Sequence, residues 1–377
     1  METKILVTGS SGFIGRHLVE VLRRCQGAQV FEFDLGHHLE AFERTLAEAD
    51  FIFHLAGVNR PQDPNEFAAV NAGLTERLCE RLEALDRKPV IVLSSSTQAA
   101  LDKAYGTSKR QAEGLIEGFC RRTQSGGVIF RLPGVFGKWC RPHYNSVVAT
   151  FCHQIAHDLP ITVSDPNKLL ELVYIDDVIA AFLNVVSCPP HPGECERRSV
   201  SRTFQVTLGD LAERIRSFRD SRKSLALPAF DDAFNRCLYA TYLNHLDAGD
   251  WAYNLEVRTD PRGSLAEFMK SPHFGQIFVS RTKPGVTRGN HFHHSKTEKF
   301  LVLEGEAIIR LRHIGATEII EHRVSGSDFR VVDIPPGYTH SIENVGTSNM
   351  VVLFWASEIF DPKAPDTYAM PVFIPSK

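Results

Sequence analysis

No apolar run in this 377-residue chain approaches the length of a membrane span. The opening residues, Met1 to Gly9, pass directly into a strand-like stretch and lack the charged-then-apolar pattern of a signal peptide, so neither export nor membrane insertion is expected. An excess of one charge is also missing. With 42 Lys and Arg against 45 Asp and Glu, the net charge is −3, which argues against a nucleic-acid surface or a polybasic membrane contact. Cysteine pairing is absent as well: the 8 cysteines are scattered from Cys25 to Cys237, none in a Cys-x-x-Cys spacing. That distribution excludes a disulfide framework and points to reduced, structural thiols in a cytoplasmic protein.

Present instead is ordinary globular material, 43% hydrophobic and 23% charged, long enough for two or three domains. Over the first 130 residues, apolar runs at Lys4–Thr8, Gln29–Phe33, Phe51–Leu55, Val90–Ser94 and Gly127–Leu132 alternate with helical patterns such as Glu66–Leu85. Such alternation predicts an α/β doubly wound parallel sheet. From Lys138 the pattern loosens, with a surface loop expected over Cys188–Arg202 and a helix over Thr207–Phe218. Beyond Leu246–Asp250 short alternating segments take over: Gly275–Ser280, Lys299–Leu303, Ala307–Arg312, Thr317–Val324, Phe329–Ile334 and Met350–Trp355. These predict an all-β sandwich or barrel. The expected domains are therefore residues 1–247 and 248–377.

Gly9, Gly12 and Gly15 stand between a strand and a helix start, where backbone N–H groups approach a pyrophosphate. Asp34 ends the second strand, where a carboxylate accepts a ribose 2′-hydroxyl and repels a 2′-phosphate. Tyr105 and Lys109 share a helix face, and a nearby ammonium is expected to lower the tyrosine pKa and ready it for proton transfer. Ser94, Ser95 and Ser96 end a strand just upstream. These residues, with His54-Leu55-Ala56-Gly57, Pro133-Gly134-Val135-Phe136-Gly137 and Tyr174-Ile175-Asp176-Asp177, resemble the extended short-chain dehydrogenase/reductases that act on nucleotide sugars. The resemblance implies a Rossmann-type unit with Ser96, Tyr105 and Lys109 as catalytic residues, Ser95 being the alternative to Ser96. It also implies a nicotinamide cofactor held by Gly9, Gly12, Phe13, Ile14, Gly15, Asp34, Leu55, Ala56 and Lys109.

In the last third, His291 and His293 alternate on an expected strand, Glu298 follows on the next segment, and His340 lies after a Pro-Pro-Gly turn. Three imidazoles and a carboxylate suit a divalent metal. Their spacing resembles the cupin superfamily over about residues 255–370. Asp260 to Glu267 and Arg288 to His291 are further similar to cupin-type sugar-nucleotide 3-epimerases, which implies His291 as base and Arg262, Glu267 and Arg288 near the nucleotide sugar. His291 is thus a candidate both for ligand and for base.

A reductase followed by a cupin resembles the bifunctional enzymes of capsular polysaccharide synthesis, as do Val58-Asn59-Arg60-Pro61, Lys138 to Val147 and Asp361 to Tyr368. That resemblance implies a UDP-linked 4-keto-6-deoxy amino sugar as substrate, NADPH as cofactor (NADH being the choice that Asp34 favours), zinc as the metal, and a homodimer as the assembly. Asn145, Arg219 and Arg222 are the candidates for the substrate subsite of the first domain.

Overall fold

The computed structural model describes residues 2–34, 39–61, 63 and 65–374. Two compact units are present, Met1–Arg216 with Arg236–Leu246, and Ser217–Asn235 with Asp247–Lys377. Strands of the first unit are β1 (Thr3–Thr8), β2 (Ala28–Phe33), β3 (Phe51–His54), β4 (Val90–Ser96), β5 (Gly127–Leu132), β6 (Gly134–Phe136), β7 (Leu169–Tyr174), β8 (Cys195–Arg198) and β9 (Phe204–Thr207). Between them run α1 (Phe13–Leu22), α2 (Leu39–Glu48), α3 (Gly73–Ala84), α4 (Ala104–Thr123), α5 (Val147–Ala156) and α6 (Ile175–Ser187), followed by α7 (Leu208–Ser224) and α8 (Ala233–Leu243).

The main sheet has the order β2-β1-β3-β4-β5-β8 and is parallel throughout. Alternation along its strands sorts the core into two faces. Ile5, Val7, Phe53, Val92, Val128 and Phe130 face one way, onto α1 and α6; Leu6, Ile52, Ile91, Leu93 and Ile129 face the other, onto α2, α3 and α4. A sheet covered on both sides needs apolar residues at every position, which is why these strands read as continuous runs. Because β1 is flanked by β2 on one side and β3 on the other, a crevice opens beyond the carboxyl ends of β1 and β3.

The segment Cys188–Arg202, expected as loop, contains β8, the sixth strand of the sheet. Its Cys195-Glu196-Arg197-Arg198 sequence is that of an edge strand, where charged residues discourage further pairing and hide the strand pattern.

Strands of the second unit are β10 (Val257–Asp260), β11 (Gly263–Ser271), β12 (Gly275–Thr282), β13 (Thr287–Phe292), β14 (Glu298–Glu304), β15 (Glu306–His313), β16 (Ile319–Ser325), β17 (Val331–Ile334), β18 (Tyr338–Asn344), β19 (Met350–Ala356) and β20 (Tyr368–Ala369). They form two sheets, β10-β11-β12-β19-β14-β17 and β16-β15-β18-β13-β20, antiparallel throughout. Phe300, Val302, Ile309, Leu311, Ile342, Val352 and Phe354 fill the core between them. Residues 217–235 join this unit because Lys270 N–H donates to Leu225 O and Leu227 N–H to Lys270 O, both at 2.8 Å. Among the described residues no helix is long and apolar enough to cross a membrane.

Candidate active sites

At the end of β1, Gly9 has φ +70°, and a Cβ there would meet Ala56 N at 2.7 Å. Gly15 is tighter still, since its Cβ would lie 2.1 Å from Gly9 O. Only glycine lets the loop turn against Leu55 and Ala56 and seat α1 behind it. No side chain caps α1 at Gly12, so the first N–H groups of the helix remain available to an anion. Phe13 and Ile14 turn their side chains into the core beside Ile5 and Leu18. Asp34 carboxylate accepts Ser11 N–H at 2.7 Å and so lies against the glycine loop.

Tyr105 lies in the first turn of α4, and the Ser96 hydroxyl at the end of β4 is near enough to act on its pKa. A one-turn helix, Thr97–Ala100, capped by Ser96 accepting Gln98 N–H, closes the nine-residue gap between them. Ser95 points the other way, donating at 2.5 Å to the buried Glu113, which also holds Arg131 through two hydrogen bonds. Lys109 is buried and donates to Ser94 O at 3.0 Å. Burial pulls its pKa down to about 8, against the attraction of Glu113. The tyrosine departs from expectation: burial raises its pKa, with the nearby Ser96 hydroxyl opposing and Tyr144 adding to the rise. Lys109 spends its ammonium on the Ser94 carbonyl, and desolvation outweighs any help it gives the phenolate. Tyr105 is therefore a protonated donor at neutral pH.

One residue of this site escaped sequence reasoning. Asn71 lies in a π-helical turn, Phe67–Ala72, that precedes α3. Its Nδ2 donates to Val58 O and Ser108 Oγ, and its Oδ1 accepts Val58 N–H. A Cβ on Gly57 would lie 2.7 Å from Asn71 Oδ1 and 3.3 Å from Lys109 Nζ, so this glycine is the mark the pocket leaves in the sequence. Asn145 is exposed on the segment that follows Tyr144, and Arg60 ties that segment down through His143 O and Tyr144 O at 3.0 and 2.7 Å.

In the second unit, ligand atoms of His291, His293, Glu298 and His340 lie within 4.8 Å of one another. A bulge between Gly289 and His291 sets His291 opposite His340, and it requires Gly289, at φ +96°, because a Cβ would lie 2.7 Å from His340 O. Strand β13 ends at Phe292, so His293 lies in the following turn instead of on the expected strand. The ring still reaches the cluster because its Nδ1 bonds Asp366 O at 2.5 Å. Nε2 of His293 and of His340 are buried without a hydrogen-bond partner, 3.4 and 3.2 Å from Glu298 Oε2. Atoms bound about 2.1 Å from one ion at near-tetrahedral angles are separated by about that much, so the donor set fits a divalent metal such as zinc. Burial raises the Glu298 pKa, but the facing imidazoles more than offset this and hold it well below the usual carboxylate range.

On β13, Arg288 is largely buried and faces Asp260 at 3.9 Å; Arg262 bonds the same carboxylate at 2.5 and 2.9 Å. Two guanidinium groups thus share one carboxylate, and Arg288 Nη2 is buried with no hydrogen-bond partner. Burial and Arg262 lower the Arg288 pKa, as expected of a cation awaiting an anion. Glu267 is not part of that group and faces Lys270 at 3.3 Å. Arg219 and Arg222 fall in the segment belonging to the second unit, where Arg222 bonds Asp250 O and stacks 4.8 Å over Tyr253.

Residues 5–193 match the NAD dependent epimerase/dehydratase family, and residues 258–368 match a polysaccharide biosynthesis C-terminal domain. The chain is 43% identical over 369 residues to a UDP-2-acetamido-2,6-beta-L-arabino-hexul-4-ose reductase of Pseudomonas aeruginosa, covering 98% of this chain and 99% of that protein. It superposes on the capsular polysaccharide assembling protein CapF of Staphylococcus aureus with TM-score 0.91 and 44% identity, over 98% of this chain and all of that one. A UDP-glucuronic acid 4-epimerase of Bacillus cereus, 18% identical with TM-score 0.55 over 64% of this chain, shares the fold of the first unit. The chain belongs to the NAD dependent epimerase/dehydratase family and, within it, to the CapF type, in which an extended short-chain dehydrogenase/reductase unit is followed by a cupin-like β unit.

Proposed function

We propose that this chain is a bifunctional nucleotide-sugar enzyme of capsule or O-antigen synthesis, a 4-ketohexose reductase with C3-epimerase activity. Its substrate in this reading is UDP-2-acetamido-2,6-dideoxy-β-L-arabino-hexos-4-ulose, and its product UDP-2-acetamido-2,6-dideoxy-L-talose, the precursor of UDP-N-acetyl-L-fucosamine. The observation that carries it is the presence in one chain of two chemistries that need a ketone: a protonated Tyr105 next to Ser96, and a mostly buried donor cluster of three imidazoles and a carboxylate in the unit that also carries Arg288, whose Nη2 is buried without a hydrogen-bond partner. A name that specifies a 4-keto sugar reductase, borne by a relative matching along the full length, supports the same substrate class.

The 4-keto group acidifies the C3 proton, so a base in the second unit can remove it and let the enolate be reprotonated on the opposite face. We assign that base to His291, which is half-buried where the other three donors are buried. His293, Glu298 and His340 would hold the divalent ion, zinc in this reading, which supplies Lewis acidity to a carbonyl. Arg288 and Arg262 would take the diphosphate. In the first unit a bound nicotinamide would supply the hydride for C4; Tyr105 gives its hydroxyl proton to the oxygen of the carbonyl being reduced, Ser96 lies next to the tyrosine to orient it, and Lys109 would hold the cofactor ribose. We place this work in the cytoplasm, in a homodimer. Full-length protein given the 4-keto sugar in heavy water without nicotinamide is expected to incorporate deuterium at C3. Incorporation no faster than without protein would sink the epimerase reading.

NADPH is the proposed hydride donor, with NADH accepted because Asp34 remains beside the expected ribose position. Replacing Asp34 with Ser removes the carboxylate that repels a 2′-phosphate. The ratio of kcat/KM for NADPH over NADH is expected to rise at least about tenfold, equivalent to about 1.4 kcal/mol. An unchanged ratio in steady-state kinetics would show that Asp34 has no part in the choice.

A further inference from the structure

Asp366 lies on the segment between β19 and β20, far in sequence from any of the four donor residues, yet it is bonded to the turn that carries His293. Its carboxylate accepts the N–H groups of His294, Ser295 and Lys296 at 2.9, 3.0 and 3.0 Å, and the Ser295 hydroxyl at 2.9 Å. Its backbone carbonyl accepts His293 Nδ1 at 2.5 Å. The residue has φ +36°, left-handed backbone that aspartate tolerates better than most side chains. Lys296, itself buried, fastens the same segment through Pro365 O and Thr367 Oγ1 at 3.3 and 3.2 Å.

We propose that Asp366 is the positioning residue of the metal centre: its carboxylate fixes the 294–296 turn while its carbonyl fixes the ring of His293. A carbonyl accepts only from a protonated Nδ1, so this contact selects the tautomer whose Nε2 bears the lone pair, and Nε2 is the atom that faces Glu298. His340 has a weaker counterpart, its Nδ1 lying 3.4 Å from Tyr338 O. One end of the centre is thus held by the C-terminal segment and not by the barrel strands. This inference rests on the reading that His293, Glu298 and His340 hold a divalent ion.

Full-length protein, freed of metal and titrated with cobalt(II), tests it. Asp366→Asn keeps the size of the side chain but turns one acceptor into a donor facing N–H groups. It is expected to weaken cobalt binding about ten- to hundredfold and to shift the visible d–d bands, as loss of an outer-shell partner does. Wild-type protein that binds no cobalt would remove the metal reading itself. If wild type binds, and folded Asp366→Asn matches it in affinity and spectrum, the role of Asp366 is refuted. Should the variant not fold, the tautomer decides. In 15N-histidine-labelled wild-type protein, the ring signal that disappears in His293→Gln is expected to carry its proton on Nδ1, and a proton on Nε2 would overturn the proposal.

Discussion

Tyr105→Phe is expected to slow reduction of the 4-keto sugar about 10²–10⁴-fold, the usual contribution of a positioned general acid, while leaving deuterium exchange at C3 intact. The first half follows from where the proton is held. Burial raises the Tyr105 pKa, so the hydroxyl is protonated throughout the neutral range and available as a donor. Deleting the hydroxyl removes the donor and little else. The ring keeps its place against Phe67, centroids 5.6 Å apart, and Lys109 keeps its bond to Ser94 O, so cofactor affinity should survive. The second half follows from the assignment of proton abstraction to His291, on the other unit. The two readouts are nicotinamide absorbance and mass spectrometry of the recovered sugar. Loss of both activities in a folded variant would contradict the division of labour.

Much of this was legible because the chemistry lies on short, local patterns. The glycine loop is local: each glycine faces backbone within a few residues or across one strand, and Gly9, Gly12 and Gly15 announce it. The Tyr105–Lys109 spacing is one helical turn. By contrast, the choice between Ser95 and Ser96 depends on which face of β4 meets α4, and the deciding partner, Glu113, stands 18 residues from Ser95. Period-two alternation says that the two serines point apart but not which points where. Asn71 was hidden for another reason. Its π-helical turn adds a residue to what reads as a continuous helix from Glu66, and the pattern cannot show where the extra residue goes. Strand β8 was hidden by its charges. Asp366 was beyond reach, since its partners are backbone N–H groups about 70 residues away and no side-chain pattern records them.

Glu298→Gln and His291→Gln are expected to separate what holds the metal from what moves the proton. Both should abolish C3 exchange and leave reduction of a ketone already of the product configuration. Their effects on metal should differ. Glu298 is the negative donor of the set, 3.4 and 3.2 Å from two buried imidazole nitrogens that have no hydrogen-bond partner. An amide there retains the shape but loses the charge and must present either a weak oxygen donor or an N–H group. Metal affinity should then fall by more than the roughly ten- to hundredfold typical of outer-shell changes. Because an ion that binds only the folded chain stabilises it in proportion to RT ln(1 + [M]/Kd), thermal melts with and without zinc report the same loss. The apo form of Glu298→Gln should melt somewhat below wild-type apo protein at neutral pH, since the facing imidazoles stabilise the ionised carboxylate in the folded chain, so the zinc-dependent rise and not the apo Tm reports the metal. His291→Gln, if His291 is the base, should keep the zinc-dependent rise in Tm while losing exchange. If it loses that rise as Glu298→Gln does, His291 is a fourth ligand and the proton must leave C3 for another group. A zinc-dependent melt that survives in His291→Gln together with wild-type exchange would show that His291 is neither the base nor a required ligand, whereas wild-type exchange in metal-free Glu298→Gln would leave the ion a role in holding the barrel and none beside the ketone.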